Sequence, residues 1–194
     1  MGFASLSKEV LLCCPRCGNK VSLHCWKQIN LDEPEMKRVL VEGINCFSCS
    51  TCDFFGAVPL FYSVYSVSRL FCFICFPPGT SPGSPGIPSI GEITGEITNG
   101  KFDFKLVDSF SSSGDLVDSV LMLDDGLDYK KGLYYKKNPP LSLITRAAEK
   151  TPGFVYDPSL TKYMGIHSNI DEVAKGALFG NRDFRFLIPI ENFM

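Results

Sequence analysis

The sequence predicts an α+β protein: a small β-rich lobe with one short helix, joined by a proline- and glycine-rich linker to a second α+β lobe. Three observations carry this expectation. Two Cys-x-x-Cys pairs, Cys14/Cys17 and Cys49/Cys52, are flanked by alternating apolar runs that read as strands, with one capped helical stretch between them. The segment from Pro77 to Pro88 is the one break in composition. Beyond it, helix-like and strand-like periodicities are mixed.

The chain has 194 residues, which suits a small domain with a larger one. With 45% hydrophobic and 21% charged residues it has an ordinary globular balance, able to bury a core. A net charge of -2 gives no global attraction to nucleic acid or acidic membranes, so any such binding must be local. The 9 cysteines are odd in number and follow no secretory signal, which points to a reducing, cytoplasmic setting rather than a disulfide framework. Met1-Gly2 lacks the Ser or Thr that myristoylation wants where Leu6 stands. The apolar run from Phe54 to Phe76 is interrupted by Pro59, Arg69 and serines and falls short of the roughly 20 apolar residues that span a membrane.

The first lobe is expected over residues 1–78. Val10 to Leu12 leads into Cys14-Pro15-Arg16-Cys17-Gly18, and Val21 to Trp26 leaves it as a strand with Val21, Leu23 and Cys25 on one face. Zinc takes four ligands in a tetrahedron, and two residues between cysteines let a tight turn aim both sulfurs at one point. The two pairs therefore read as a four-thiolate zinc site, with Cys14, Cys17, Cys49 and Cys52 as ligands. Gly18 can take the positive φ needed after the second cysteine, and Asp53 occupies the same place in the second pair. His24 and Trp26 read as structural rather than as ligand and base-stacking platform.

Asp32 is placed to cap a helix over Glu33 to Glu42, with Glu35 completing a capping box, Pro34 in the first turn and Gly43 at the stop. Strands are expected at Ile44 to Phe47, Ala57 to Tyr65 and Arg69 to Phe76, the last two forming a hairpin that turns near Ser66-Val67-Ser68. Cys72 and Cys75 form a third C-x-x-C, but residues three apart on a strand point to opposite faces, so they read as strand residues. Cys13, Cys25 and Cys46 read as small hydrophobes.

Residues 79–91 are expected to be an exposed linker and domain boundary, followed by a lobe over 92–194. Gly91-Glu92-Ile93-Thr94 recurs once as Gly95-Glu96-Ile97-Thr98, too little for a repeat protein. A strand is expected at Lys101 to Val107, then a helix from Ser113 or Asp115 to near Gly126. Asp124, Asp125 and Asp128 lack the spacing of a calcium loop. Tyr129 to Lys137 interleaves lysines and tyrosines and is the one nucleic-acid-like patch, read mainly as a solvated face. Further expectations are a helix from Pro140 to Lys150, a strand at Phe154 to Tyr156, a helix at Ile170 to Leu178 and a strand at Phe184 to Ile188. His167 has no triad pattern around it, and no phosphate loop, H-E-x-x-H or carboxylate dyad is present, so no catalytic residue is assigned.

The cysteine segment resembles the CpXC domain family. The resemblance runs through Cys14-Pro15-Arg16-Cys17-Gly18, Ile29-Asn30, Asp32, Pro34, Glu35, Gly43, Asn45, Phe47, Cys49, Cys52 and the closing Pro77, with a fainter echo in Phe104 to Val107, Asp115 to Val117 and Asp124 to Asp128. It implies a zinc-ribbon-like module, mostly bacterial, with no assigned activity, and the same four cysteines as ligands. Ser50 and Asp53 stand where the family usually has Pro and Gly.

Four thiolates leave zinc no open position, so the expected function is a non-enzymatic, zinc-stabilised module that binds a protein partner not specified by the sequence. The alternative is nucleic-acid binding or a transcription-related role, by analogy with other ribbons. A further alternative is a thiol redox switch that releases zinc on oxidation.

Overall fold

The computed structural model describes residues 3–139, 141, 156–168, 175–180 and 185–193. The chain is α+β and divides into two compact units, Met1–Ser113 and Gly114–Met194.

In the first unit, β1 (Leu6–Cys13) and β2 (Lys20–Asn30) form an antiparallel hairpin, closed by the pair Cys13 and Lys20. The alternation read from Val21 to Cys25 is observed, with those residues turned inward and Ser22 and His24 exposed. A short helix, α1 (Met36–Glu42), then leads to a second, smaller hairpin of β3 (Cys46–Ser48) and β4 (Phe55–Ala57). β5 (Tyr62–Ser66) and β6 (Phe71–Cys75) form a third hairpin. β2 runs parallel to β5, and β7 (Leu106–Phe110) runs parallel to β6, giving a five-stranded mixed sheet in the order β1-β2-β5-β6-β7.

Every residue of β5 and β6 is buried, which explains why this stretch is apolar without clean alternation: central strands covered on both faces need no polar side. The helix α2 (Ile90–Thr98) packs Ile93 and Ile97, one turn apart, against Tyr65, Cys72, Ile74 and Phe76. Phe73 sits among aromatics, its ring centroid 5.1 Å from those of Phe71 and Phe110. Cys72 and Cys75 are buried strand residues, as expected.

Several expectations are corrected. Asp32 does not cap α1, which starts at Met36 after Glu35 and has no side-chain cap. Its carboxylate instead holds the β5–β6 turn, accepting from the Val67 amide at 2.8 Å, the Ser68 amide at 3.0 Å, and the Ser66 and Ser68 hydroxyls at 2.7 Å each. Burial works to raise that carboxyl, and the Ser66 and Ser68 hydroxyls with the two amides outweigh it and lower it. The capping box belongs to α2: the Ser89 hydroxyl accepts from the Glu92 amide, and the Glu92 carboxylate accepts from the Ser89 amide at 2.7 Å. The run from Ala57 to Tyr65 is two strands, β4 and β5, broken around Pro59. The strand expected over Lys101 to Val107 begins at Leu106.

The proline- and glycine-rich segment does not separate the units. It is a run of turns within the first unit, with Gly79, Gly83 and Gly86 at positive φ, and it delivers the chain to α2.

In the second unit, α3 (Ser113–Asp124) and α4 (Tyr129–Lys137) precede an antiparallel sheet of β8 (Lys162–Ser168), β9 (Lys175–Gly180) and β10 (Arg185–Pro189). Asp128 caps α4 by accepting from the Lys130 and Lys131 amides. Gly132 allows α4 to approach α3, because a Cβ there would fall on the Met122 sulfur. The helix expected at Ile170 to Leu178 is overturned where the chain is described, since Lys175 onward is strand. The expected helix at Pro140 to Lys150 and strand at Phe154 to Tyr156 lie, but for Leu141 and Tyr156, outside the described residues.

Candidate metal centre

Each Cys-x-x-Cys pair forms the tip of a hairpin, the first between β1 and β2 and the second between β3 and β4. The two tips are built alike. The Cys14 amide donates to the Asn19 carbonyl and the Gly18 amide to the Cys14 carbonyl, both at 2.8 Å. In the second tip the Cys49 amide donates to the Phe54 carbonyl at 2.8 Å and the Asp53 amide to the Cys49 carbonyl at 2.9 Å. Gly18 lies at φ 73 and Asp53 at φ 54, so the same left-handed turn is made by glycine in one tip and by aspartate in the other.

This geometry brings all four sulfurs together. Cys14, Cys17, Cys49 and Cys52 have their Sγ atoms within 4.8 Å of one another. Cys14 Sγ is 3.6 Å from Cys52 Sγ, and Cys17 Sγ is 3.6 Å from Cys49 Sγ. These separations exceed the ~2.05 Å of a disulfide, and all four cysteines are free thiols. Cys14 and Cys49 are buried while Cys17 is exposed, so the cluster sits at the protein surface with its inner half covered.

The backbone around the sulfurs is arranged for negative charge. The Thr51 amide, with that of Cys52, faces Cys49 and holds its thiol down to about 6. The Phe54 amide also lowers Cys52, but burial and the neighbouring sulfurs outweigh it, and that thiol is pushed up to about 12. Cys17 shows the same contest, the Asn19 amide and the Cys52 sulfur lowering it while burial and the Cys49 and Cys14 sulfurs carry it upward. Four sulfurs this close cannot all ionise unaided, because each new thiolate repels the last. A cation at their centre removes that conflict. These four cysteines are the one group among the described residues able to hold a metal ion.

Asn45 locks the second hairpin to the first, a role the motif spacing did not disclose. It is buried at φ 55, its side-chain oxygen accepts from the Trp26 amide at 2.7 Å, and its side-chain amide donates to the Trp26 carbonyl at 3.1 Å. Its own carbonyl accepts from the Val58 amide at 2.7 Å. The sequence signal was an asparagine directly after Gly43-Ile44, a residue that tolerates the left-handed region and can pair with backbone in both directions.

The lysine and tyrosine patch is solvated at Lys130, Lys131 and Lys137, as expected, but not at Lys136. Lys136 is buried, with its ammonium 2.7 Å from Asp115 and 2.8 Å from Asp118, and Lys137 lies 3.2 Å from Asp115. Lys136 and Lys137 are therefore engaged in ion pairs within the second unit.

Fold and centre together define a small two-knuckle module in which paired hairpins bring together four cysteines that could hold one metal ion. The family model described as CpXC protein matches residues 12–130, and the chain belongs to that family. The match runs from the first knuckle through the turn segment, α2 and β7 into α4. No curated protein and no solved structure matches the chain. No helix among the described residues is long and apolar enough to cross a membrane.

Proposed function

We propose that Cys14, Cys17, Cys49 and Cys52 hold a structural zinc ion and that the protein is a non-enzymatic, zinc-stabilised interaction module of the cytoplasm. The observation that carries this reading is the convergence of four thiols from two like knuckles. Zinc–sulfur bonds of ~2.3 Å in a tetrahedron require sulfurs roughly 3.8 Å apart. The cluster, with two separations of 3.6 Å and none above 4.8 Å, is already close to that size. Four protein ligands leave no position for water or substrate, so the ion acts as a staple and supplies no reaction. Zinc also suits thiolate ligands better than magnesium or calcium, which seek oxygen. Nine free thiols fit a reducing compartment.

Replacement of the metal by cobalt(II) tests the closed site. One equivalent should bind per chain with the absorption of a tetrahedral four-thiolate complex, and added cyanide should leave the spectrum unchanged. A spectrum that shifts with cyanide at stoichiometric levels would reveal an open coordination position and reject the structural role.

A further inference from the structure

Across the two knuckles the four sulfurs form two pairs, Cys17 with Cys49 and Cys14 with Cys52, each with its Sγ atoms 3.6 Å apart. Each pair joins an exposed or half-exposed cysteine to a covered one. Cys17 is exposed and Cys49 is 0% exposed, while Cys52 is intermediate and Cys14 is 2% exposed. An oxidant in solution therefore meets Cys17 first, and the partner standing beside that sulfur belongs to the other hairpin.

The remaining cysteines are less suited to this chemistry. Cys25, Cys72 and Cys75 are buried. Cys13 is exposed, but it ends β1 opposite Lys20 and is not one of the mutually close sulfurs.

We propose that the cluster is a reversible peroxide-modification site, in which Cys17 is oxidised first and closes a disulfide with Cys49 across the two hairpins. The Cys17 thiolate attacks hydrogen peroxide: an S–O bond forms, the O–O bond breaks and hydroxide leaves. The Cys49 thiolate then attacks the Cys17 sulfur, so that the S–S bond forms, the S–O bond breaks and a second hydroxide leaves. The two sulfurs together lose two electrons and the peroxide gains them. A second equivalent of peroxide joins Cys52 to Cys14 in the same way. Since a metal ligand must be a thiolate, the first disulfide halves the donor set and releases the ion. The covalent bond then replaces the ion as the tie between the hairpins, which a bond within either Cys-x-x-Cys pair would not do. Loss of zinc on oxidation rests on the reading of the cluster as a zinc site, whereas the order of the disulfides rests on the sulfur positions alone. In a reducing compartment such bonds are transient, because thiol–disulfide exchange reopens them.

The test uses the full chain, purified under reductant, loaded with zinc, freed of reductant and treated with hydrogen peroxide. Brief treatment with one equivalent is expected to release one zinc per chain, read with a chromogenic chelator, and to give a Cys17–Cys49 disulfide on peptide mapping. A second equivalent should add Cys14–Cys52, so that four of the nine thiols are lost, and dithiothreitol with zinc should restore them. Hydrogen exchange at residues 46–57 should stay protected in the oxidised chain, because the hairpins remain joined. Cys13→Ser should behave as the parent. Disulfides confined within the Cys14/Cys17 and Cys49/Cys52 pairs, bonds to Cys13, Cys17 carried to sulfinic acid with no disulfide, or thiols that stay reduced with zinc in place would each overturn the proposal. A chain that takes up no zinc counts against the zinc reading alone, because mapping its disulfides still decides the order of bonding.

Discussion

Cys49→Ser is expected to leave the purified chain without tightly bound metal and to destabilise the β3–β4 hairpin by on the order of 4–5 kcal/mol. Cys49 is fully buried, and its thiol is held down by the Thr51 and Cys52 amides. β3 and β4 are only three residues each, too short to persist as an isolated pair. The Asn45 side chain ties them to β2, and the proposed metal would do so as well. The central sheet is different, because β5 and β6 are buried throughout and rest on their own apolar packing. Hydrogen exchange should therefore show residues 46–57 losing protection while residues 62–66 and 71–75 retain theirs. Unchanged exchange at residues 46–57 with undiminished metal content would show that the hairpin does not depend on the cluster.

Lys136→Met should destabilise the second unit by about 3–5 kcal/mol near neutral pH, because it strands a buried carboxylate. Asp118 is 2% exposed, and burial raises its carboxyl despite the pull of Lys136. Burial alone would lower the Lys136 ammonium, but Asp118 and Asp115 outweigh it and raise it. Without the ammonium, Asp118 is raised further. A carboxyl whose folded-state pKa lies above its unfolded value favours the folded state at low pH and opposes it as pH rises through that pKa. The loss should accordingly shrink as the pH falls towards ~4, near the ordinary carboxylate range. Exchange of α3 and α4 amides reports it, and adding Asp118→Leu should recover most of it. A variant with the same protection as the parent at neutral pH would mean that the buried pair contributes nothing.

The cysteine tips could be read from residue order because metal chemistry restricts which residues can stand there. Two intervening residues aim a pair of sulfurs, and a residue tolerant of positive φ must follow, a condition met by both Gly18 and Asp53. The β2 strand and α3 were legible for a similar reason, since their apolar spacing matches one local period.

Other elements depend on distant partners. Asp32, Pro34 and Glu35 have the local pattern of a helix start, yet the Asp32 carboxylate gains more from the amides and hydroxyls of the β5–β6 turn, residues far along the chain. α2 contains Gly91, Gly95 and β-branched residues that weaken a helix. It forms because Ile93 and Ile97 are buried against the sheet, and the signal that could have revealed it was Ser89 followed three residues later by Glu92. The proline-rich turns looked like a boundary because composition records exposure, whereas the contacts that unite residues on either side of them are tertiary.

X-ray absorption at the zinc edge on the purified full chain tests the central claim most directly. The account predicts one zinc per chain surrounded by a single shell of four sulfurs at ~2.3 Å. A first shell containing nitrogen or oxygen, or a metal-free protein whose four cysteines are joined as disulfides, would contradict it.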